Sequence, residues 1–316
     1  MTKRKKISIL IPAYNEQEVL RPLYERLGML AEKTPDYDFE FLFVNDGSRD
    51  KTLEIIASYA EKDDRIAYIN LSRNFGKEIA MIAGLDNVSG DATVIIDADL
   101  QDPPELIPQM IKYWEEGFDD VYAKRKSRSG ESYAKKKSSE LFYKILQKST
   151  SVPIQIDTGD FRLLDKRCVE ALRGFRESQR YTKGMFSWIG YKKKEVLYDR
   201  DPRVAGETKW NYLKLINLAI DGITSFTTAP LKIASVFGVI TSFFAFIYII
   251  YIVIRTIFFG SDLAGYPSTM AVMLFIGGVQ LLSLGIIGEY IGRIFNETKN
   301  RPLYFIEELH KSGDKK

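Results

Sequence analysis

Two stretches near the carboxyl end carry no charge at all: Ile233 to Ile254 is 22 residues long and Tyr266 to Gly288 is 23. At ~1.5 Å of rise per residue a helix over either spans ~33 Å, more than the ~30 Å hydrocarbon core of a bilayer. Helices buried in a soluble core are the other reading, but two such runs in tandem predict a membrane hairpin. The connector, Arg255 to Gly265, holds only Arg255 and Asp262, whereas Lys232 precedes the first run and Arg293, Lys299 and Arg301 follow the second. That excess of Lys and Arg on the outer flanks predicts that both termini face the cytoplasm. After the N-terminal Lys3-Arg4-Lys5-Lys6, the apolar stretch Ile7 to Pro12 is too short for the core of a signal peptide. The expectation is a multi-pass inner-membrane protein with its large N-terminal part inside the cell.

With charged residues at 28% of the chain, that large part reads as a soluble globular unit, not a disordered or collagen-like one. The net charge of +3 is too small to argue for nucleic acid, and none is expected as a partner. A single cysteine, Cys168, excludes an internal disulfide and a cysteine-based zinc site. A single histidine, His310, lies in the C-terminal tail, which argues against a histidine triad. Any chemistry must run on carboxylates, Arg, Lys and a bound metal.

Strand and helix signals alternate through the first 125 residues. Ile7 to Ile11, Phe39 to Val44, Ile66 to Leu71 and Thr93 to Ile96 are β-rich apolar runs. Between them Glu16 to Glu32, Thr52 to Lys62, Lys77 to Val88 and Glu105 to Glu116 have amphipathic helical periodicity. Such alternation predicts βαβ units and a mostly parallel α/β sheet, with ligands bound beyond the carboxyl ends of the strands. No internal repeat is visible. The domain boundaries expected are a catalytic domain over 1–210, a juxtamembrane amphipathic segment over 211–232, the hairpin over 233–292 and a cytoplasmic tail over 293–316.

Three strand ends are polar. The first strand runs into Pro12-Ala-Tyr-Asn-Glu16, the second into Asn45-Asp-Gly-Ser-Arg-Asp50, and the fourth into Asp97-Ala-Asp-Leu-Gln-Asp-Pro-Pro-Glu105. Each taken alone is good turn and helix-cap chemistry. In an extended segment, however, Asp97, Asp99 and Gln101 project to one side, so three oxygen-bearing side chains converge. Oxygen donors without Cys or His suit a hard cation, Mg²⁺ or Mn²⁺, of the kind that bridges substrate phosphates.

In this order the motifs identify a resemblance. Ile9-Leu-Ile-Pro-Ala-Tyr-Asn-Glu16, Val44-Asn-Asp-Gly-Ser-Arg-Asp50, Asn74-Phe-Gly-Lys77, the Asp97 to Glu105 stretch and Arg203-Val-Ala-Gly-Glu-Thr-Lys-Trp210 resemble the GT-A-fold family 2 glycosyltransferases. The resemblance is to the branch that charges a polyprenyl phosphate with one sugar. It covers residues 7–210, and the two following spans match its bacterial members. Asn45 departs from the pattern, since the family often has a second Asp there, which leaves Asp46 as the expected base-recognition residue. The resemblance implies that Pro12, Tyr14, Glu16, Asp46 and Asp97 hold the nucleotide. It also places Asp97, Asp99 and Gln101 at the metal and diphosphate, with Asp99 as direct ligand. The same resemblance implies a homo-oligomer, a tetramer.

Between Lys124 and Lys137 there are seven basic residues against Glu131 alone. A solvated charge run is the default reading, but Leu141, Phe142, Ile145 and Leu146 follow at helical spacing. A basic helix with an apolar stripe predicts an interfacial helix lying on an anionic bilayer. By resemblance Arg125, Arg128, Lys135, Arg203 and Lys209 contact the acceptor phosphate, and Asp160 or Asp157 lies beneath the sugar. The reaction implied is inverting transfer of a hexose, glucose or N-acetylglucosamine, from a UDP-sugar to undecaprenyl phosphate, with Asp99, Asp160, Arg125, Arg203 and Lys209 as the catalytic set. Two alternatives are a processive polysaccharide synthase, whose Gln-x-x-Arg-Trp motif has only Gln179-Arg-Tyr181 as its nearest match, and a non-catalytic scaffold or flippase subunit.

Overall fold

Every apolar run in the N-terminal half becomes a strand and every amphipathic segment between them a helix. A computed structural model describes residues 4–126, 158–178, 180, 182–199, 227–259 and 266–313. Its elements are β1 (Lys6–Ala13), α1 (Leu20–Lys33), β2 (Asp38–Asn45), α2 (Thr52–Ala60), β3 (Ile66–Leu71), α3 (Lys77–Asn87), β4 (Ala92–Ile95), a 3₁₀ turn (Pro104–Leu106) entering α4 (Ile107–Glu115), β5 (Asp120–Arg125) and β6 (Thr158–Asp165). There follow α5 (Lys166–Arg173), α6 (Thr182–Trp188), β7 (Lys193–Tyr198), the long helices α7 (Ala229–Phe259) and α8 (Tyr266–Thr298), and β8 (Ile306–His310). Two compact units result: Met1–Asn217 together with Pro302–Lys316, and Leu218–Arg301.

The first unit is one sheet in the order β7-β5-β6-β4-β1-β2-β3-β8. β1 is parallel to β2 and β4, β3 to β2, and β7 to β5. The expected GT-A type of α/β sheet is therefore present, with two antiparallel insertions that sequence reading missed: β6 between β4 and β5, and β8 on the β3 edge. In β1 every residue after Lys6 is buried, as a parallel strand covered on both faces requires. Ile7, Ile9 and Ile11 share a core with Leu20, Leu23 and Leu27 of α1; each such side chain stabilises by ~1.5–3 kcal/mol relative to exposure. On the other face Leu10 meets α3, where a Cβ on Gly84 would come within 2.0 Å of the Leu10 Cδ1. A glycine is what lets that helix seat.

β2 and β3 lie to one side of β1 and β4 to the other, so chain direction across the sheet switches between β1 and β4. Ligands in such sheets bind in the crevice at that switch, outside the carboxyl ends. Pro12 sharpens the crevice. It pairs with Val44 of β2 but has no N–H to offer β4. The β1–β4 ladder closes with Ile96 N–H donating to the Leu10 carbonyl, 3.0 Å, and the strands part.

Two segments differ from their sequence reading. Helix α1 begins at Leu20 and not Glu16, because the amides of Asn15, Glu16 and Gln17 donate to Ser48, Thr52 and Asp50. The supposed tail divides: up to Thr298 it extends α8, and Ile306–His310 pairs with β3 as a strand of the sheet. The bonds that hold it, Ser72 N–H to the Phe305 carbonyl and the Tyr304 hydroxyl to Asp86, cross the whole length of the chain and leave no local signal.

In the second unit α7 and α8 have 31 and 33 residues and pack against each other. Both are long and apolar enough to cross a membrane, with mean hydropathy 2.3 over Pro230–Ile252 and 1.8 over Val272–Thr298. Their side chains are bare: Phe244, Phe258, Leu274 and Leu281 are all exposed. Among the described residues a Cβ on Gly277, Gly278, Gly285, Gly288 or Gly292 would touch nothing within 4 Å.

Candidate active site

The loops that leave β1, β2, β3 and β4 meet at the crevice, and their sequences explain how. Gly47 has φ +64, and a Cβ there would lie 2.5 Å from the Arg73 carbonyl carbon. Only glycine allows the β2 loop to press on the β3 loop so closely. Asn15 bridges back, its Oδ1 accepting from Arg49 N–H at 2.8 Å while its own N–H donates to Ser48. Tyr14, exposed, projects from this stitched surface and Glu16 lies beside it, half-buried.

Asp46, the residue expected to read the base, is held by the protein's own backbone. It is 2% exposed, and its two carboxylate oxygens accept from the backbone N–H groups of Phe75, 2.7 Å, and Gly76, 2.9 Å. Burial raises its pKa above the ordinary value, while the two amides and Arg73 oppose the rise. Asp46 thus clamps the Asn74–Gly76 loop from below.

At the end of β4 burial alternates. Asp97, Asp99 and Gln101 are half-buried on the crevice side, and Ala98 and Leu100 point into the core. The three polar side chains thus share the more exposed side of the segment. Leu100 pays for it with φ +60, a conformation costly for a residue with a Cβ. Asp99 Oδ1 accepts from the Gln101 N–H at 3.2 Å.

β6 brings the fourth carboxylate. Its register sets Ile95 opposite Arg162, and continuing it by two residues sets Asp97 opposite Asp160. Like charges facing each other across a ladder repel. Lys77 resolves the conflict: its Nζ lies 2.6 Å from Asp97 and 2.6 Å from Asp160. Burial works against the ammonium, but the two carboxylates outweigh it and hold its pKa above the ordinary lysine value. Sequence reading quoted Asn74-Phe-Gly-Lys77 without giving Lys77 a role. The signal was there, since a lysine directly after a positive-φ Gly76 opens α3 at the crevice.

Arg125 ends β5 opposite Tyr198 of β7. The Tyr198 hydroxyl donates to buried Asp102 at 2.5 Å, tying the β4 loop to β7. Among the described residues the buried Arg125 Nε has no hydrogen-bond acceptor, leaving a donor suited to an anion. Arg128, Lys135, Asp157, Arg203, Lys209 and the amphipathic stretches over 138–148 and 211–226 lie outside the described residues.

A divalent ion fits the chemistry of this donor set. Among the described residues no three Asp, Glu, His or Cys side chains form a closed metal cluster. What stands at the crevice is open, two carboxylates and an amide, the kind of partial shell that Mg²⁺ or Mn²⁺ completes with phosphate oxygens and water.

Comparison with known proteins places this architecture. Residues 8–173 match Glycosyl transferase family 2, and residues 229–294 match the GtrB C-terminal hairpin. The chain is 48% identical over 304 residues to the uncharacterized glycosyltransferase sll0501 of Synechocystis, covering 96% of this chain and 95% of that one. It is 44% identical over 308 residues to the SfII prophage-derived bactoprenol glucosyl transferase of Shigella flexneri, at 98% and 99% coverage. A third relative, the prophage bactoprenol glucosyl transferase homolog of Escherichia coli, is 44% identical over 306 residues, at 97% and 100% coverage. The family match runs from the first strand through the crevice to α5, the hairpin matches separately and marks a membrane-associated protein, and the relatives align from end to end: the chain is a glycosyltransferase and belongs to glycosyl transferase family 2.

Proposed function

We propose that the enzyme transfers glucose from UDP-glucose to undecaprenyl phosphate with inversion, on the cytoplasmic side of the inner membrane. The observation that carries the reading is the alignment over catalytic domain and hairpin alike with relatives named bactoprenol glucosyl transferases. The flanking Lys and Arg residues support a cytoplasmic catalytic domain with both termini inside.

The chain's residues divide the work. Tyr14 offers a face on which uracil stacks, and Glu16 accepts from ribose hydroxyls beside Pro12. Asp46 keeps the floor of that pocket in place through the Phe75 and Gly76 amides. Asp97, Asp99 and Gln101 would hold Mg²⁺ or Mn²⁺, an ion that, bound, neutralises charge building on the departing diphosphate. Arg125, with Arg128, Lys135, Arg203 and Lys209, positions the lipid phosphate. That phosphate arrives anionic, its second ionisation near ~6, so no base is needed to unmask the nucleophile. Asp160, already engaged by Lys77, orients a sugar hydroxyl and stabilises positive charge at the ring.

The reaction is tested by incubating membranes carrying the enzyme with labelled UDP-glucose. Label is expected in an organic-soluble lipid as a β-linked phosphodiester. Label confined to free sugar or polymer would overturn the reading. The role of Asp160 has its own test. As pH is lowered toward ~6, wild-type and Asp160→Asn rates should fall in parallel, because the acceptor phosphate is what titrates. An acidic limb present in the wild type and missing from Asp160→Asn would make Asp160 the general base.

A further inference from the structure

The C-terminal strand reaches the nucleotide pocket through a chain of side-chain amides. Asn45 closes β2 and stands directly opposite Asn70 of β3. They are 1% and 8% exposed, so water cannot readily replace either partner. The Asn45 Nδ2 donates to the Asn70 Oδ1 at 2.8 Å, and the Asn70 Nδ2 donates to the Glu307 Oε2 at 3.2 Å. At the other end the Asn45 Oδ1 accepts from the Ser48 N–H at 3.3 Å, and the Ser48 hydroxyl accepts from the Asn15 N–H at 2.9 Å.

The direction of this chain is set at one end. An amide can be turned either way, but a carboxylate only accepts. With Glu307 in place, Asn70 must present its NH₂ outward and its oxygen to Asn45. Asn45 must then spend its NH₂ on Asn70 and turn its oxygen to Ser48. The backbone delivers Glu307 to this position. β8 pairs Ile306 with Leu71 and Glu308 with Asn70, so Glu307 is the extra residue of a bulge, a device that re-aims a side chain.

We propose that Glu307 is a positioning residue for the sugar-nucleotide pocket, fixing the Asn45–Ser48 turn through Asn70 and thereby the loop that carries Tyr14. The proposal rests on the reading of the crevice as a UDP-sugar site. Glu307 touches neither substrate nor reacting atoms, so its contribution falls on donor binding and not on the chemical step.

The test uses the full chain in detergent, with UDP affinity by calorimetry, steady-state rates and a melting curve for each variant. Glu307 is exposed, so its replacement leaves the core untouched. Glu307→Ala should weaken UDP binding and raise KM for UDP-glucose about fivefold, as loss of the net contribution of one ordinary hydrogen bond implies, with kcat and the acceptor KM unchanged. Glu307→Gln keeps an acceptor but can also donate, so it no longer sets the direction of the chain and should fall between Glu307→Ala and wild type. Glu308→Ala, which removes the neighbouring bond to the Tyr68 hydroxyl, should also stay within about twofold. The proposal is overturned if Glu307→Ala leaves UDP affinity unchanged, if its loss falls on kcat, or if Glu308→Ala weakens UDP equally, since strand docking as a whole would then be the cause. Should Glu307→Ala not fold, Asn70→Ser breaks the same chain and must show the same KM shift. UDP binding by the wild type is measured first, and its absence would overturn the nucleotide reading and the relay with it.

Discussion

Asp99→Asn should cut glucosyl transfer by roughly 10³-fold while the protein stays folded. The residue is half-buried at a strand end, and the bond from the Gln101 N–H survives, because an asparagine oxygen accepts as a carboxylate does. What disappears is one negative charge in a site with few to spare, as Asp97 already shares the Lys77 ammonium with Asp160. A chelator should silence the wild type to a similar degree, with activity returning on addition of Mg²⁺ or Mn²⁺. Transfer rates and melting curves on the same preparations settle the matter: full activity in the chelator, or a collapse in melting temperature in Asp99→Asn, would contradict this assignment.

The largest loss of stability is expected from Asp120→Ala. Asp120 and Arg162 are both 0% exposed at the side chain and 3.1 Å apart, Asp120 at the start of β5 and Arg162 paired with Tyr122 two residues along it. The Arg162 guanidinium also stacks 3.7 Å from the Phe186 ring centre. Burial drives the Asp120 carboxyl above its ordinary pKa, against the pull of Arg162 and Lys193. Removing the acid leaves a cation in the core without its counter-charge, a change costing ~3–5 kcal/mol. Replacing both residues with leucine should recover much of the loss, because no unpaired charge then remains. Urea unfolding of the three variants is the measurement, and a cost below ~1 kcal/mol for Asp120→Ala would show that the pair is not what holds the two strands.

The sequence made some of this legible and concealed the rest for physical reasons. β1 to β4 could be read because apolar runs end at turn residues; the alternating burial at Asp97, Asp99 and Gln101 was expected from an extended backbone, but the chain achieves it through a turn at Ala98–Leu100. β6 gave no such signal. Its stretch from Thr158 to Asp165 has Asp160 and Arg162 on one face, a pattern that looks solvated until Asp120 is found opposite. The partnership of Lys77 with Asp97 and Asp160 was hidden for the same reason, since an antiparallel register creates it. The bonds of Asp46 to the Phe75 and Gly76 amides were not legible, because a turn motif does not say which way its carboxylate points. Asn45, a departure from the family's usual aspartate, becomes understandable only beside Asn70, where a donor is required.

The return of the chain to the sheet as β8 sets an order in time. During synthesis, β1 to β7 emerge first, then both apolar helices, and only then the strand that covers the β3 edge and brings Glu307 to Asn70. Until the ribosome has passed the hairpin, β3 is an open edge of the kind that invites pairing with another chain. Both apolar helices therefore leave the ribosome before the sheet can be finished. A catalytic domain released before its hairpin would lack more than an anchor: its sheet would be one strand short, at the β3 edge.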